Sequence, residues 1–135
     1  MKRPLILRLL ILILGAALVS CANEYDEVIN VTEIRIVDDA IKSSETYGDY
    51  VVIHRNAETG RLEYKINYTV SPEDATDKTV RFTYDAQGAR EKGITVTDDG
   101  LVSFADGGDG MFIKVFLVPA DGSDVIASIT IIALD

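Results

Sequence analysis

The chain has 135 residues, 47% of them hydrophobic, with 22 Asp and Glu against 13 Lys and Arg for a formal charge of −9. That length suits one ordinary domain and buries roughly 65% of its unfolded surface, enough for a core without cross-links. The acidic balance repels phosphate backbones and sets nucleic-acid binding aside. The lone cysteine, Cys21, sets aside an internal disulfide.

Residues 1–20 carry Lys2, Arg3 and Arg8 and no acid, and an uninterrupted apolar run from Leu9 to Val19 leads to Ser20 and Cys21. That order reads as a secretory signal, and the run is too short for a bilayer, which needs about 20 residues. Its ending, Leu18-Val19-Ser20-Cys21, resembles the bacterial lipobox, in which signal peptidase II cleaves before the cysteine and the new N-terminus is lipidated. The resemblance implies a signal peptide over 1–20, a lipidated Cys21 opening an acidic tether over 21–27, and a folded domain over 28–135. Cleavage would leave 115 residues with 10 Lys and Arg against 22 Asp and Glu, a formal charge of −12. So acidic a surface disfavours lying flat on anionic lipid, so the acyl chains are the expected membrane contact. Ala22 is not the Asp that holds enteric-type lipoproteins at the inner membrane, and Glu24, Asp26 and Glu27 resemble the export signals of some Gram-negative surface lipoproteins. Both features point outward, to the outer membrane.

From Val28 the hydrophobic period is two. Leu62, Tyr64, Ile66, Tyr68 and Val70 alternate with Arg61, Glu63, Lys65, Asn67 and Thr69, the pattern of one half-buried antiparallel strand. Val80, Phe82 and Tyr84 alternate with Thr79, Arg81 and Thr83 in the same way. Further strands are predicted over 31–37, 50–54, 94–97, 101–104, 111–118 and 125–134; in the last, Ser128 and Thr130 are expected outside and Ala127, Ile129 and Ile131 inside. Turns are expected at residues 56–60, 98–100 and 119–124, with a longer polar connection over 71–77. No segment shows a helical stripe. Seven to nine short strands so spaced predict an all-β sandwich.

From Val31 onward the chain resembles the bacterial immunoglobulin-like domains of group 2. Val31-Thr32-Glu33-Ile34-Arg35-Ile36 matches their opening strand, and Val70-Ser71-Pro72-Glu73-Asp74-Ala75-Thr76-Asp77-Lys78-Thr79-Val80 their V-x-P-x-x-A-T-x-K-x-V element. Asp98-Asp99-Gly100-Leu101-Val102 and the Gly-led strand from Gly110 complete the pattern. The resemblance implies an immunoglobulin-like antiparallel sandwich serving as a structural or adhesive module, with no catalytic residues to transfer. Phe82 and Tyr84 stand where the family usually has Trp, and the segment 41–61 is long enough for an extra hairpin or edge strand.

The residues that invite chemistry are few. His54 has no nucleophile or acid fixed beside it by a motif and reads as a strand histidine. Asp98-Asp99-Gly100 and Asp106-Gly107-Gly108-Asp109-Gly110 suggest calcium but lack the D-x-[DN]-x-[DN]-G spacing with a distal Glu, so turn chemistry is the reading. Asp38 and Asp39 would point to opposite faces of a strand and could not flank one bond together. Tyr47 and Tyr50 flank Gly48-Asp49, an arrangement that suits stacking of a sugar ring with the acid taking its hydroxyls; the alternative is that one or both cap the core. No cofactor or metal is expected. The expected function is therefore non-catalytic: a cell-envelope lipoprotein whose domain binds a glycan or an envelope or host protein. The rival is an accessory subunit of an envelope complex.

Overall fold

A computed structural model of the chain describes residues 27–105 and 110–134. The expected signal over 1–20, Cys21, all but the last residue of the expected tether, and residues 106–109, expected as a turn, lie outside those residues. The elements in chain order are β1 (Glu33–Ile36), β2 (Lys42–Ser44), β3 (Gly48–His54), β4 (Leu62–Lys65), β5 (Tyr68–Ser71) and β6 (Val80–Thr83). They continue with a short helix α1 (Ala86–Glu91), β7 (Ile94–Val96), β8 (Leu101–Phe104), β9 (Met111–Pro119) and β10 (Ala127–Leu134). This is an all-β sandwich.

One layer is a five-stranded sheet in the order β2-β3-β10-β9-β6, and the other joins the pair β1-β5 to the sheet β4-β8-β7. β4 and β5 are the two halves of the alternating run from Leu62 to Val70. The expected single strand is divided at Ile66 and Asn67, where the chain changes partners. Ile66 N–H donates to Gly100, extending the ladder with β8, while Asn67 C=O accepts from Val37 beyond β1. Alternation survives the change, with Leu62 and Ile66 buried and Glu63, Lys65 and Asn67 exposed. Taken together, the second layer runs β1, β5/β4, β8, β7 and faces β6, β9, β10, which is the A-B-E-D against C-F-G order of an immunoglobulin-like sandwich.

The segment 41–61 supplies the expected insertion: β2 and β3 form a hairpin, and β3 joins the edge of β10. That pairing is parallel, Thr130 opposite Tyr50 through Leu134 opposite His54, so the sandwich is not purely antiparallel as expected. The hairpin and the division of the long run bring the strands among the described residues to ten, against the expected seven to nine.

Inward residues of both layers meet in one core that includes Leu62, Ile66, Val102, Val115, Leu117, Ile129 and Ile131, all at most 1% exposed. Each such side chain is worth about 1.5–3 kcal/mol relative to exposure, offsetting the entropy of ordering it. Two expectations fail at this level. Thr130 does not face solvent: it points outward yet is 2% exposed, because the Tyr47 segment covers it and the Tyr47 carbonyl accepts its hydroxyl at 3.0 Å. And residues 86–91 are helical, with Asp85 as N-cap accepting from Gly88 N–H at 3.1 Å and Gly93 closing the far end at φ +70°. The helix buries only Ala89, too little for a visible stripe.

Candidate ligand-binding face

The outward face of the five-stranded sheet gathers the aromatic side chains that the core does not use. β9 alternates Ile113, Val115 and Leu117 inward with Phe112, Lys114 and Phe116 outward, so an apolar strand presents rings on its second face. Phe112 is 43% exposed and Phe116 37%. Across the sheet, β3 turns Tyr50 outward opposite Thr130, and the β2–β3 turn lays Tyr47 over the same face. Ser44 Oγ accepts from Tyr47 N–H at 2.9 Å and fixes that turn.

The rings touch. Tyr47 and Tyr50 are 6.0 Å apart between centroids and tilted by 57°, and Tyr47 meets Phe112 edge-on at 5.5 Å. Lys92, the C-cap of α1, sets its ammonium 5.1 Å from the Phe112 centroid, and Lys114 sets its own 5.4 Å from that of Phe116. A niche of about 260 Å³ opens between α1 and β9, lined by Lys92, Phe112, Lys114, Phe116 and Asp85. The Asp85 carboxylate is held by the helix it caps.

Tyr47 and Tyr50, the two residues singled out from the sequence, thus share one surface, both half-buried. Asp49 does not join them: it lies on the opposite side of β3, where the Ser43 hydroxyl donates to its carboxylate at 2.6 Å. Strand alternation separates the acid from the rings that flank it in sequence. The signal for the missed members was the Phe-x-Lys-x-Phe spacing at residues 112–116, whose inward neighbours already fill the core.

His54 is exposed at the end of β3. Of the acids singled out from the sequence, Asp38 and Asp99 have structural partners. Asp38 accepts from the Tyr64 hydroxyl and, at 2.8 Å, from Ala40 N–H. These bonds hold its carboxyl below the usual carboxylate range, while burial and the same bond push the Tyr64 phenol above the usual tyrosine range. Asp99 accepts from the Thr97 hydroxyl and pairs with Lys65 at 3.0 Å, so an ammonium already stands at that turn. Asp121 accepts from Ser123 N–H at 2.9 Å and from Val31 N–H at 2.8 Å. Among the described residues no three His, Cys, Asp or Glu side chains come together as a metal site, and no helix is long and apolar enough to cross a membrane.

A second concavity, about 510 Å³, lies between β1 and the start of β10, lined by Ile34, Ile36, Ile41, Ile126 and Ile129 with Glu33, Asp38 and Asp49 among its acids. β3 pairs with β10 only from Thr130 onward, so Ala127–Ile129 carry no strand on that side. Comparison of the chain with protein-family models and with curated proteins returns no match.

Proposed function

We propose that this chain is a non-catalytic lipoprotein of the cell envelope, anchored through lipid on Cys21 and placed at the outer membrane. On this reading it displays one immunoglobulin-like domain of the group 2 type and binds a glycan or protein through the face around Tyr47 and Tyr50. The observation that carries the reading is the cluster of Tyr47, Tyr50 and Phe112 on the outward side of a sheet whose inward side already makes the core. Solvent-facing rings with flanking ammonium groups are a binding surface in search of an apolar face and a polar rim. Anchoring is tested by Cys21→Ser, which should move the protein from the membrane to the soluble fraction. Display is tested by protease treatment of intact cells against a periplasmic control. Digestion supports the adhesive reading; protection removes it.

The cleft beside β1 favours a second reading, an accessory subunit docked through an open strand edge. Ile126, 64% exposed at its rim, is the residue to change. A stable envelope complex that co-purifies with the wild-type chain and is lost in Ile126→Asp would establish it.

A further inference from the structure

The outward positions of β3, β6, β9 and β10 include no Asp or Glu, although the chain carries 22 of them. The charged residues there are Arg81 on β6 and Lys114 on β9, and β2 adds Lys42 opposite Tyr50. Lys92 reaches the same surface from α1. Acids do occur on the strands elsewhere, with Glu33 on β1, Glu63 on β4 and Asp49 on the opposite side of β3. The same face holds the exposed rings.

Resting on the proposed binding face, we infer that its ligand is a linear acidic polysaccharide, its sugar rings stacked on Phe112, Phe116 and Tyr50 and its carboxylates paired with Lys92 and Lys114. The geometry matches both halves of such a ligand. A pyranose offers an apolar face that meets a π face, and each ammonium, standing over a ring on a flexible stem, would swing aside to pair with the anion carried on the stacked sugar. Phe112 and Phe116 are four residues apart on one strand, about 14 Å, which fits an oligosaccharide rather than a single ring. A lipid surface fits less well: by register the rings share their face with the polar Ser128, Thr130 and Lys114, and ammonium groups stand over two of them, so the face offers no uninterrupted apolar patch to hydrocarbon. Asp85, the carboxylate lining the niche between α1 and β9, is already committed to its helix cap.

The test is calorimetric titration of the purified full-length chain with polygalacturonate, alginate and hyaluronate, and with polygalacturonate whose carboxyls are fully methyl-esterified. The expected result is binding of at least one acidic polymer that weakens with added salt. The ester should bind at least about tenfold more weakly, as should the wild-type polymer to Lys92→Gln/Lys114→Gln. Both lysines are surface groups on a ring face, so the double variant keeps the fold, checked by its circular dichroism. Equal binding of acid and ester, lost in Phe112→Ser, overturns the acidic class and leaves the binding face standing. No polymer bound in any form overturns the inference. If, in addition, a Tyr50→Ser/Phe112→Ser variant adheres to cells like wild type, the binding face itself falls. Capture on phosphatidylglycerol vesicles, lost in the lysine variant with no polysaccharide bound, assigns the face to a membrane instead and also overturns it.

Discussion

Gly100 shows how tightly single positions are specified. Its φ of +89° lies in the region side chains avoid, and a Cβ there would sit 2.8 Å from the Phe82 ring. Gly100→Ala should cost about 2–4 kcal/mol, part backbone strain and part overpacking. Urea unfolding of Gly100→Ala in a Phe82→Leu background should return the packing part and leave the strain. Thr130 is a second such position. Thr130→Val keeps the shape but strands the Tyr47 carbonyl, at about 1 kcal/mol, and should loosen Tyr47 from Phe112, seen as faster exchange of the Tyr47 segment amides. Tyr64 gives a pH signature. Its folded-state pKa is raised, so the stability it contributes is full below the ordinary tyrosine value of 10.0 and is lost as pH rises through the higher folded value. Alkaline titration followed by phenolate absorbance should show a late-ionising tyrosine that vanishes in Tyr64→Phe. Burial is the larger cause, so the Asp38 bond is tested separately: a late transition unmoved in Asp38→Asn would dismiss it.

Among elements, the connections carry as much specification as the strands. Asp121 in the β9–β10 turn accepts from Val31 N–H, ninety residues earlier in the chain, and so ties the entry of the domain to its last hairpin. Its carboxyl is held below the usual range, first by hydrogen bonding with Ser123 and then by the Val31 bond. A depressed folded-state pKa means that this stabilisation is present above the ordinary carboxylate value of 3.8 and is lost as pH falls below it, through the folded value. Asp121→Asn should therefore lower stability at neutral pH and flatten its decline between pH 5 and pH 2, measured as urea midpoints across that window. A variant as acid-sensitive as wild type would remove the clamp. The helix is held by comparable local chemistry, Asp85 at one end and Gly93 at the other. Those two residues stood in the sequence at the right separation for a short helix. They were obscured because six residues that bury one alanine make no periodic stripe.

At the scale of the molecule, what the sequence disclosed and what it hid divide along the range of the interaction. Alternation in Leu62–Val70 and in β9 is local, and it gave the strands, their faces and the β architecture. The partner exchange at Ile66-Asn67, the parallel seat of β3 on β10 and the cover over Thr130 depend on contacts across the fold, which no local pattern encodes. The binding face was half legible for the same reason. Tyr47 and Tyr50 are neighbours in the chain, but Phe112 and Lys92 reach them only through the sheet order β3-β10-β9 and the docking of α1. That order makes β10 the central strand, bonded to β3 on one side and β9 on the other, with Ile129, Ile131 and Ala133 fully buried. One core shared by both layers should unfold as one unit, with far-ultraviolet and tyrosine signals tracing a single transition. Ile131→Ala removes the packing where both neighbours converge and should cost about 2–5 kcal/mol, a large part of the 5–15 kcal/mol typical of a domain. Ile126→Ala, one residue before the pairing with β9 begins and 64% exposed, should stay within about 0.5 kcal/mol. If in Ile131→Ala the amides of β3 exchange faster than those of β9 while the wild type stays cooperative, β3 leaves β10 before the β6-β9-β10 core opens. The parallel seam would then be the weakest joint of the sandwich, and the Tyr47–Tyr50 side of the binding face would be the first part of it to be lost.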